Sequence, residues 1–457
     1  MKKIFSFLFI TSILLSACGE AGITSTVEPT STEGSSKTPA AEPAIEIDTQ
    51  LQVQEDALNG LEITVWTPWY GIESSLFDSF VEEFNLNNEW GIRVSAEHQG
   101  TFSNLYETVT ASLPTAEKPD LVIALPEHAL GWNDDGVVTD LTPYASDPMY
   151  GIDSSDIPPV FWDQDVSGDA RVAVPAQRTA RFLLWNKTWA SELGFDTSPA
   201  APEDFRQQAC RAQQSMLKDA SAQNDFMGGW IVDTETPTAY SWMLAFDGGA
   251  VEGSGYKFLA PNNINAFKFL RELSEKQCAW QAVETDPVTA FATREALFIT
   301  TSLDALPTVA RAFASAKNTD TWEVTAFPGE TQNAFAVYGS SYVILKSTNE
   351  EQFAAWMFTR WLMEKEQDAR WVETTHLFPL RTSTVELLAD YQKTHPQWAE
   401  AVALLPQGQM QPQLASWRRV KIMLGDGFAH MYRVNLPSGQ VPAILAQMQS
   451  TANDLSK

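Results

Sequence analysis

The chain has 457 residues, with 58 acids against 30 lysines and arginines, and a formal charge of −28. That balance argues against nucleic acid or an anionic lipid surface as a partner held by charge. Hydrophobic residues make up 44 % and aromatics 11 %, enough for sizeable cores, and the length allows two or three domains.

The first eighteen residues read MKKIFSFLFITSILLSAC. Two lysines precede an apolar run from Ile4 to Leu15 that is too short to span a bilayer, which takes about 20 apolar residues. Leu15-Ser16-Ala17-Cys18 resembles a lipobox. The resemblance implies that residues 1–17 are a signal peptide and that Cys18 carries lipid, tethering a body that works outside the cytoplasm to the cell membrane. Residues 18–59 form an acidic linker rich in Ser, Thr, Pro and Glu, with Lys37 as its base. Its early part holds too little apolar surface to repay ordering, so a disordered spacer is expected.

The folded part opens with an alternating strand at 61–66, a PWYG turn, and a helix over 73–85 with Leu76, Phe77, Phe80, Val81 and Phe84 on one face. A strand at 92–97, a loop at 98–101 and a helix over 102–113 follow. The unbroken apolar run LVIAL at 121–125 has the character of a buried parallel strand. Strand and helix alternating in this order predict an α/β lobe. A second lobe starts near 172: strand RFLLWN (181–186), a short helix 187–193, a longer one 202–219, a strand 228–232 and a helix 239–247. Helices are expected at 262–277 and 287–293, strands recur between 322 and 345, and helices at 350–373, 385–391 and 440–455 end the chain. Cys210 and Cys278 sit in an oxidising compartment, where a disulfide persists; two buried thiols are the alternative. Two cysteines and five scattered histidines show no metal-ligand spacing.

These stretches, taken together, resemble a family. ITVWTPWYGIESSLFDSFVEEFN, KPDLVIAL with GVVTDLTPY, LLWNKTWASELGF, FATREALFITTS, and SSYVILKSTNEEQFAAWMFTRWL with HLFPLRTS are similar, in order and spacing, to the family 1 extracellular solute-binding proteins of ABC importers, the maltose-binding-like, carbohydrate-binding branch. The resemblance implies a type II periplasmic-binding-protein fold of class α/β, two lobes joined by a hinge with the ligand between them. On that pattern the first lobe runs 60–171, the second 172–322, the chain returns to the first over 323–380, and 381–457 are C-terminal helices packing on both. It implies a monomer that captures a carbohydrate or polyol and delivers it to a permease, with no cofactor and no catalysis. A receptor for glycerol phosphate or glycerophosphodiesters, or a ligand-presenting sensor subunit, is the alternative.

In that family an aromatic and an acid in the loop after the first strand often reach the ligand, which implicates Trp66, Trp69 and Glu73. Indole faces stack on sugar C–H groups and carboxylates accept hydrogen bonds from hydroxyls. Loops after the next two strands offer Gln99, Thr101 and Glu127. Trp185 stands where relatives carry a tyrosine, and Trp230 after Gly228-Gly229 is the expected stacking platform, with Trp242 as core. Gly339-Ser340-Ser341-Tyr342 resembles a small-residue turn that approaches the ligand, and Arg381 matches a position that meets phosphorylated glycerol compounds in some relatives. Arg178 and Arg181 are candidates for an anionic group. Arg294 replaces the usual glycine of FATREALFITTS, a segment expected to pack the second lobe, and Phe353, Trp356, Met357 and Trp361 follow the spacing of a core stripe. No G-x-S-x-G, H-E-x-x-H or P-loop pattern occurs, and the adjacent Asp134 and Asp135 point apart on most backbones, so no enzyme is expected.

Overall fold

The computed structural model describes residues 51, 53–282, 285–433 and 436–457. Cys18, the expected signal peptide and most of the expected linker lie outside them. Strands β1 (Glu62–Thr67), β2 (Arg93–His98), β3 (Leu121–Ala124), β4 (Val174–Pro175), β5 (Thr179–Asn186), β6 (Gly228–Ile231), β7 (Ala279–Trp280), β8 (Ala296–Ser302), β9 (Trp322–Thr325), β10 (Phe335–Tyr338), β11 (Ser341–Ile344) and β12 (Gly408–Gln409) build two sheets. The first is five-stranded in the order β2-β1-β3-β11-β4. β1 runs parallel to β2 and β3, and β11 antiparallel to β3 and β4. The second follows the order β7-β6-β8-β5-β10-β12, with β9 also on β5, and β5 is antiparallel to β8, β9 and β10. Among the described residues no helix is long and apolar enough to cross a membrane.

Local chemistry explains the elements. All four residues of β3 are buried, as an apolar strand covered on both faces must be. Helix α1 (Ile72–Asn87) buries Phe77, Phe80, Val81 and Phe84, the stripe read from the sequence, while Leu76 is only partly buried. Cys210, on the helix Pro202–Met216, and Cys278, beside β7, are joined by a disulfide.

The chain passes from one sheet to the other at 176–178 and returns at 339–340, and these two crossings lie against each other; a third, between β11 and β12, brings Gly408–Gln409 onto β10. Ala176 N–H and Gln177 N–H both donate to Ser340 O, at 2.9 and 3.0 Å. A Cβ on Gly339 would lie 2.0 Å from the Gln177 carbonyl oxygen, so only glycine permits this approach. Arg178 is fully buried beneath the crossings. It pairs with Asp165 at 2.7 Å and donates to Ser340 O, Gln177 O and Phe161 O. Ser341 Oγ completes the network by donating to Asp165.

This placement moves two expected boundaries. β4 still belongs to the first sheet, so the second lobe begins after residue 178 rather than at 172. β9 and β10 pair with β5 of the second sheet, so the return comes at 339–340 rather than at 323. Short apolar strands carry no address for one sheet or the other, which is why the boundaries were illegible. The expected linker also ends earlier than residue 59: Val53 and Leu58 are buried, and the Tyr150 hydroxyl donates to Glu55. At the other end, the helix Pro396–Ala403 packs on β9, and the helix Trp417–Tyr432 on the helix Thr236–Ala245 of the second lobe.

Candidate functional site

Both lobes direct a strand end and a helix start toward the hinge, the place where ligands sit in open α/β sheets. In the first lobe β3 stops at Ala124 and Pro126, at the first turn of α2 (Pro126–Asp134), starts the helix, with Glu127 beside it. In the second lobe β6 leads through Asp233 to α3 (Thr236–Ala245), again opened by a proline, Pro237. Between them lies a cavity of about 270 Å³. Leu125, Pro126 and Glu127 form one wall, Glu235, Thr236, Pro237 and Tyr338 the other. Gly339 forms the hinge side, with Gln164 and Gln411 across it. The helix α4 (Trp417–Tyr432) closes one end through Lys421 and Ile422.

The electrostatics of the lining follow from its pairings. Glu127 is 5 % exposed and carries the Lys421 ammonium as a salt-bridge partner. Burial opposes its ionisation, but Lys421 and the adjacent His128 hold the carboxyl below the usual carboxylate range. Burial pushes His128 down to about 4, so its imidazole is neutral near pH 7. Gln164 and Gln411 brace each other: Gln411 N–H donates to Gln164 Oε1 at 3.2 Å and Gln164 Nε2 donates back to Gln411 O at 3.3 Å. Arg181 is committed to Asp233 at 2.8 Å. Elsewhere at the hinge, burial raises the Glu73 carboxyl above its ordinary range; the Gln177 side chain opposes the rise and the Asp304 carboxylate adds to it.

Of the residues singled out in the sequence, Glu127 and Gly339 line the cavity, and Glu73 lies at the hinge beside Gln177. The tryptophans are placed otherwise. Trp185 and Trp230 are wholly inside the second lobe, donating to Gln208 Oε1 at 2.8 Å and to Thr300 Oγ1 at 3.2 Å, with no face left for a ligand. Trp242 packs against Trp230, as core. Trp69 is buried on Phe77 and Trp371 and donates to Gln177 Oε1 at 3.2 Å, tying the first loop to the hinge. Trp66 is buried with Leu105, Val122 and Trp132. Indole surface drives these side chains into a core.

The remaining expectations resolve into structural roles. Thr101 caps a helix, accepting from Asn104 N–H at 3.2 Å, and Gln99 donates to Glu97 at 3.1 Å. Ser340 and Ser341 are spent on the hinge network, and Tyr342 is core. Arg381 pairs with Asp156 at 3.3 Å and donates to Met363 O, away from the cavity. Arg294 adopts a left-handed φ of 61°, the conformation that favours the family's glycine, and is held there by Asp320 and Glu192. Phe353, Trp356 and Met357 are core, and Trp361 packs against it. Glu235, Tyr338, Gln164, Gln411 and Lys421 were missed. The polar stretch Thr234-Glu235-Thr236-Pro237 between a strand and a proline-led helix was a usable signal, whereas Lys421 is one base in a helix and gains meaning only from tertiary contact.

Solved structures share this architecture. The sugar-binding protein MalE from Xanthomonas citri superposes with a TM-score of 0.74 at 17 % identity, over 86 % of this chain and 97 % of its own. The cyclic α-maltosyl-1,6-maltose binding protein from Arthrobacter globiformis gives 0.70 at 17 %, over 87 % and 99 %. UgpB from Mycobacterium tuberculosis, solved with glycerophosphocholine, gives 0.68 at 19 %, over 86 % and 98 %. At these identities the likeness establishes the two-lobed fold. No curated protein sequence matches the chain. Residues 79–406 match the bacterial extracellular solute-binding proteins, a span of most of the chain. The chain belongs to this family of extracellular receptors, which bind solutes rather than transform them.

Proposed function

We propose that the chain captures a small neutral carbohydrate or polyol between its lobes and delivers it to the membrane subunits of an ABC importer, held at the membrane by lipid on Cys18. The observation that carries this reading is the composition of the cavity. Carboxylates of Glu127 and Glu235 suit hydroxyl donors, and the aliphatic faces of Pro126, Pro237 and Ile422 suit ring C–H groups. Its volume of about 270 Å³ lies just below the usual range of ligand pockets, roughly 300 to 1,000 Å³, and matches a short saccharide better than a long chain. The sugar-binding names of two relatives support the same class.

The glycerophosphocholine bound by UgpB favours a second reading, a phosphodiester ligand. The arginines weigh against it here. Arg178, Arg181 and Arg381 are paired with Asp165, Asp233 and Asp156, and the cavity's described lining adds two acids and one lysine already bound to Glu127. Titration calorimetry of the purified protein decides between them. Glu235→Gln should weaken a sugar about ten- to a hundredfold, the loss of one charged hydrogen bond, whereas Arg381→Lys should leave it unchanged. Binding confined to glycerophosphodiesters, and lost in Arg381→Lys, would reverse the assignment.

A further inference from the structure

Helix α4 is anchored in the second lobe by a stripe at helical spacing, Trp417, Val420, Leu424, Phe428 and Met431, all buried. Arg418 and Lys421, one turn apart and off that stripe, reach instead to the first lobe. The Arg418 guanidinium lies 4.2 Å over the Tyr106 ring. Tyr106 is itself stacked on Trp132 at 5.4 Å and lies 4.7 Å from the His128 ring, so the cation meets a preassembled aromatic surface. Lys421 bridges to Glu127, a carboxylate nearly sealed from solvent. Ala415, just before the helix, packs on the same first-lobe cluster.

We propose that α4 is a latch: Arg418 on Tyr106 and Lys421 on Glu127 hold the two lobes together at one end of the cavity. Three physical points carry this. The Lys421–Glu127 bridge sits at a carboxylate only 5 % exposed, where solvent and salt screen it less than an exposed ion pair, so parting the lobes gives up more attraction than a surface pair would. The cation over a ring in a partly desolvated setting adds to it. Both contacts join protein to protein, so they bias the closure equilibrium with or without solute. Because Glu127 and Lys421 also line the cavity, the shut latch is its end wall and limits the size of what fits. That last consequence rests on the solute-capture reading; the latch itself does not.

The test needs no solute. Spin labels at Glu82→Cys on α1 and Ser315→Cys on the second-lobe helix Leu306–Ala316 report the distance between lobes by pulsed electron resonance. Arg418→Ala with Lys421→Ala should move the distribution to longer distances, with the open-to-closed ratio raised about tenfold or more. Exchanging the charges, Glu127→Lys with Lys421→Glu, should restore the bridge and return most of the shift seen for Lys421→Glu alone. An unchanged distribution in a variant that melts where the parent does overturns the latch, as does a charge exchange that restores nothing. Should the double variant not fold, Arg418→Gln carries the same test with the same two outcomes. A solute screen that fails leaves this measurement standing, and a failed latch leaves the solute reading standing.

Discussion

Gly339 shows how one residue fixes the relation of two lobes. With the Gln177 carbonyl 2.0 Å from where a Cβ would sit, Gly339→Ala must push the crossings apart. The expected cost is about 2 kcal/mol or more, read as a lower melting temperature, while Ser340→Ala in the same turn costs less. His128 gives a pH dependence. Its folded pKa of about 4 lies below the ordinary value of 6.5, so between these limits the unfolded chain binds the proton and the folded one does not. Stability therefore falls as pH drops from about 6.5 to about 4, by roughly 3 kcal/mol from this group. Asp368 opposes it: burial raises its carboxyl to about 6, so the folded state binds that proton more tightly and gains stability as pH falls through 6. His128→Gln should remove the His128 slope and leave that of Asp368, a difference visible in denaturant melts at pH 4.5 and 7. The residue scale was also where the sequence was least legible. Glu127 and Gly339 could be picked out because they follow a strand or sit in a small-residue turn. Trp185 and Trp230 could not be sorted from cleft tryptophans, because residue type reports how much surface wants burial and not which core receives it.

At the scale of elements the sequence was far more informative. The apolar run of β3, the alternation of β1 and the Phe77–Phe84 stripe of α1 each carry a local signal, and each formed the element read, though β1 is buried on both faces from Val65 to Thr67 rather than alternating. What failed was membership: β9 and β10 look like any short apolar strands, and only their register on β5 assigns them to the second sheet. The disulfide is a long-range element of the same lobe. It closes a loop across a sequence separation of 68 residues, for which chain entropy gives about 4 kcal/mol. Cys210→Ser with Cys278→Ser should lose about that much stability in chemical denaturation and leave the first lobe's melting behaviour intact where the lobes unfold separately. The buried Arg178–Asp165 pair is the other keystone. Asp165→Asn leaves a guanidinium uncompensated beneath both crossings, and a loss of about 3–5 kcal/mol is expected.

For the whole molecule, two sheets, two adjacent crossings and a cavity at their strand ends make the clamp that the proposed capture of a small polar solute requires. On the reading proposed above, specificity comes from matching solute hydroxyls to the cavity's carboxylates, and response from lobe closure. The lobe boundaries and the latch depend on contacts between segments hundreds of residues apart, as Lys421 with Glu127 are, and no local pattern announces them. The most direct test of solute capture is a thermal-shift panel of neutral mono- and disaccharides, polyols and glycerophosphodiesters on the purified protein. A ligand of the folded state adds about 2.7 kcal/mol at a hundredfold excess over its Kd. A melting temperature raised by short neutral sugars or polyols, with the rise diminished in Glu235→Gln, is the result this account predicts. A rise produced only by phosphodiesters, or none across the panel, would contradict it.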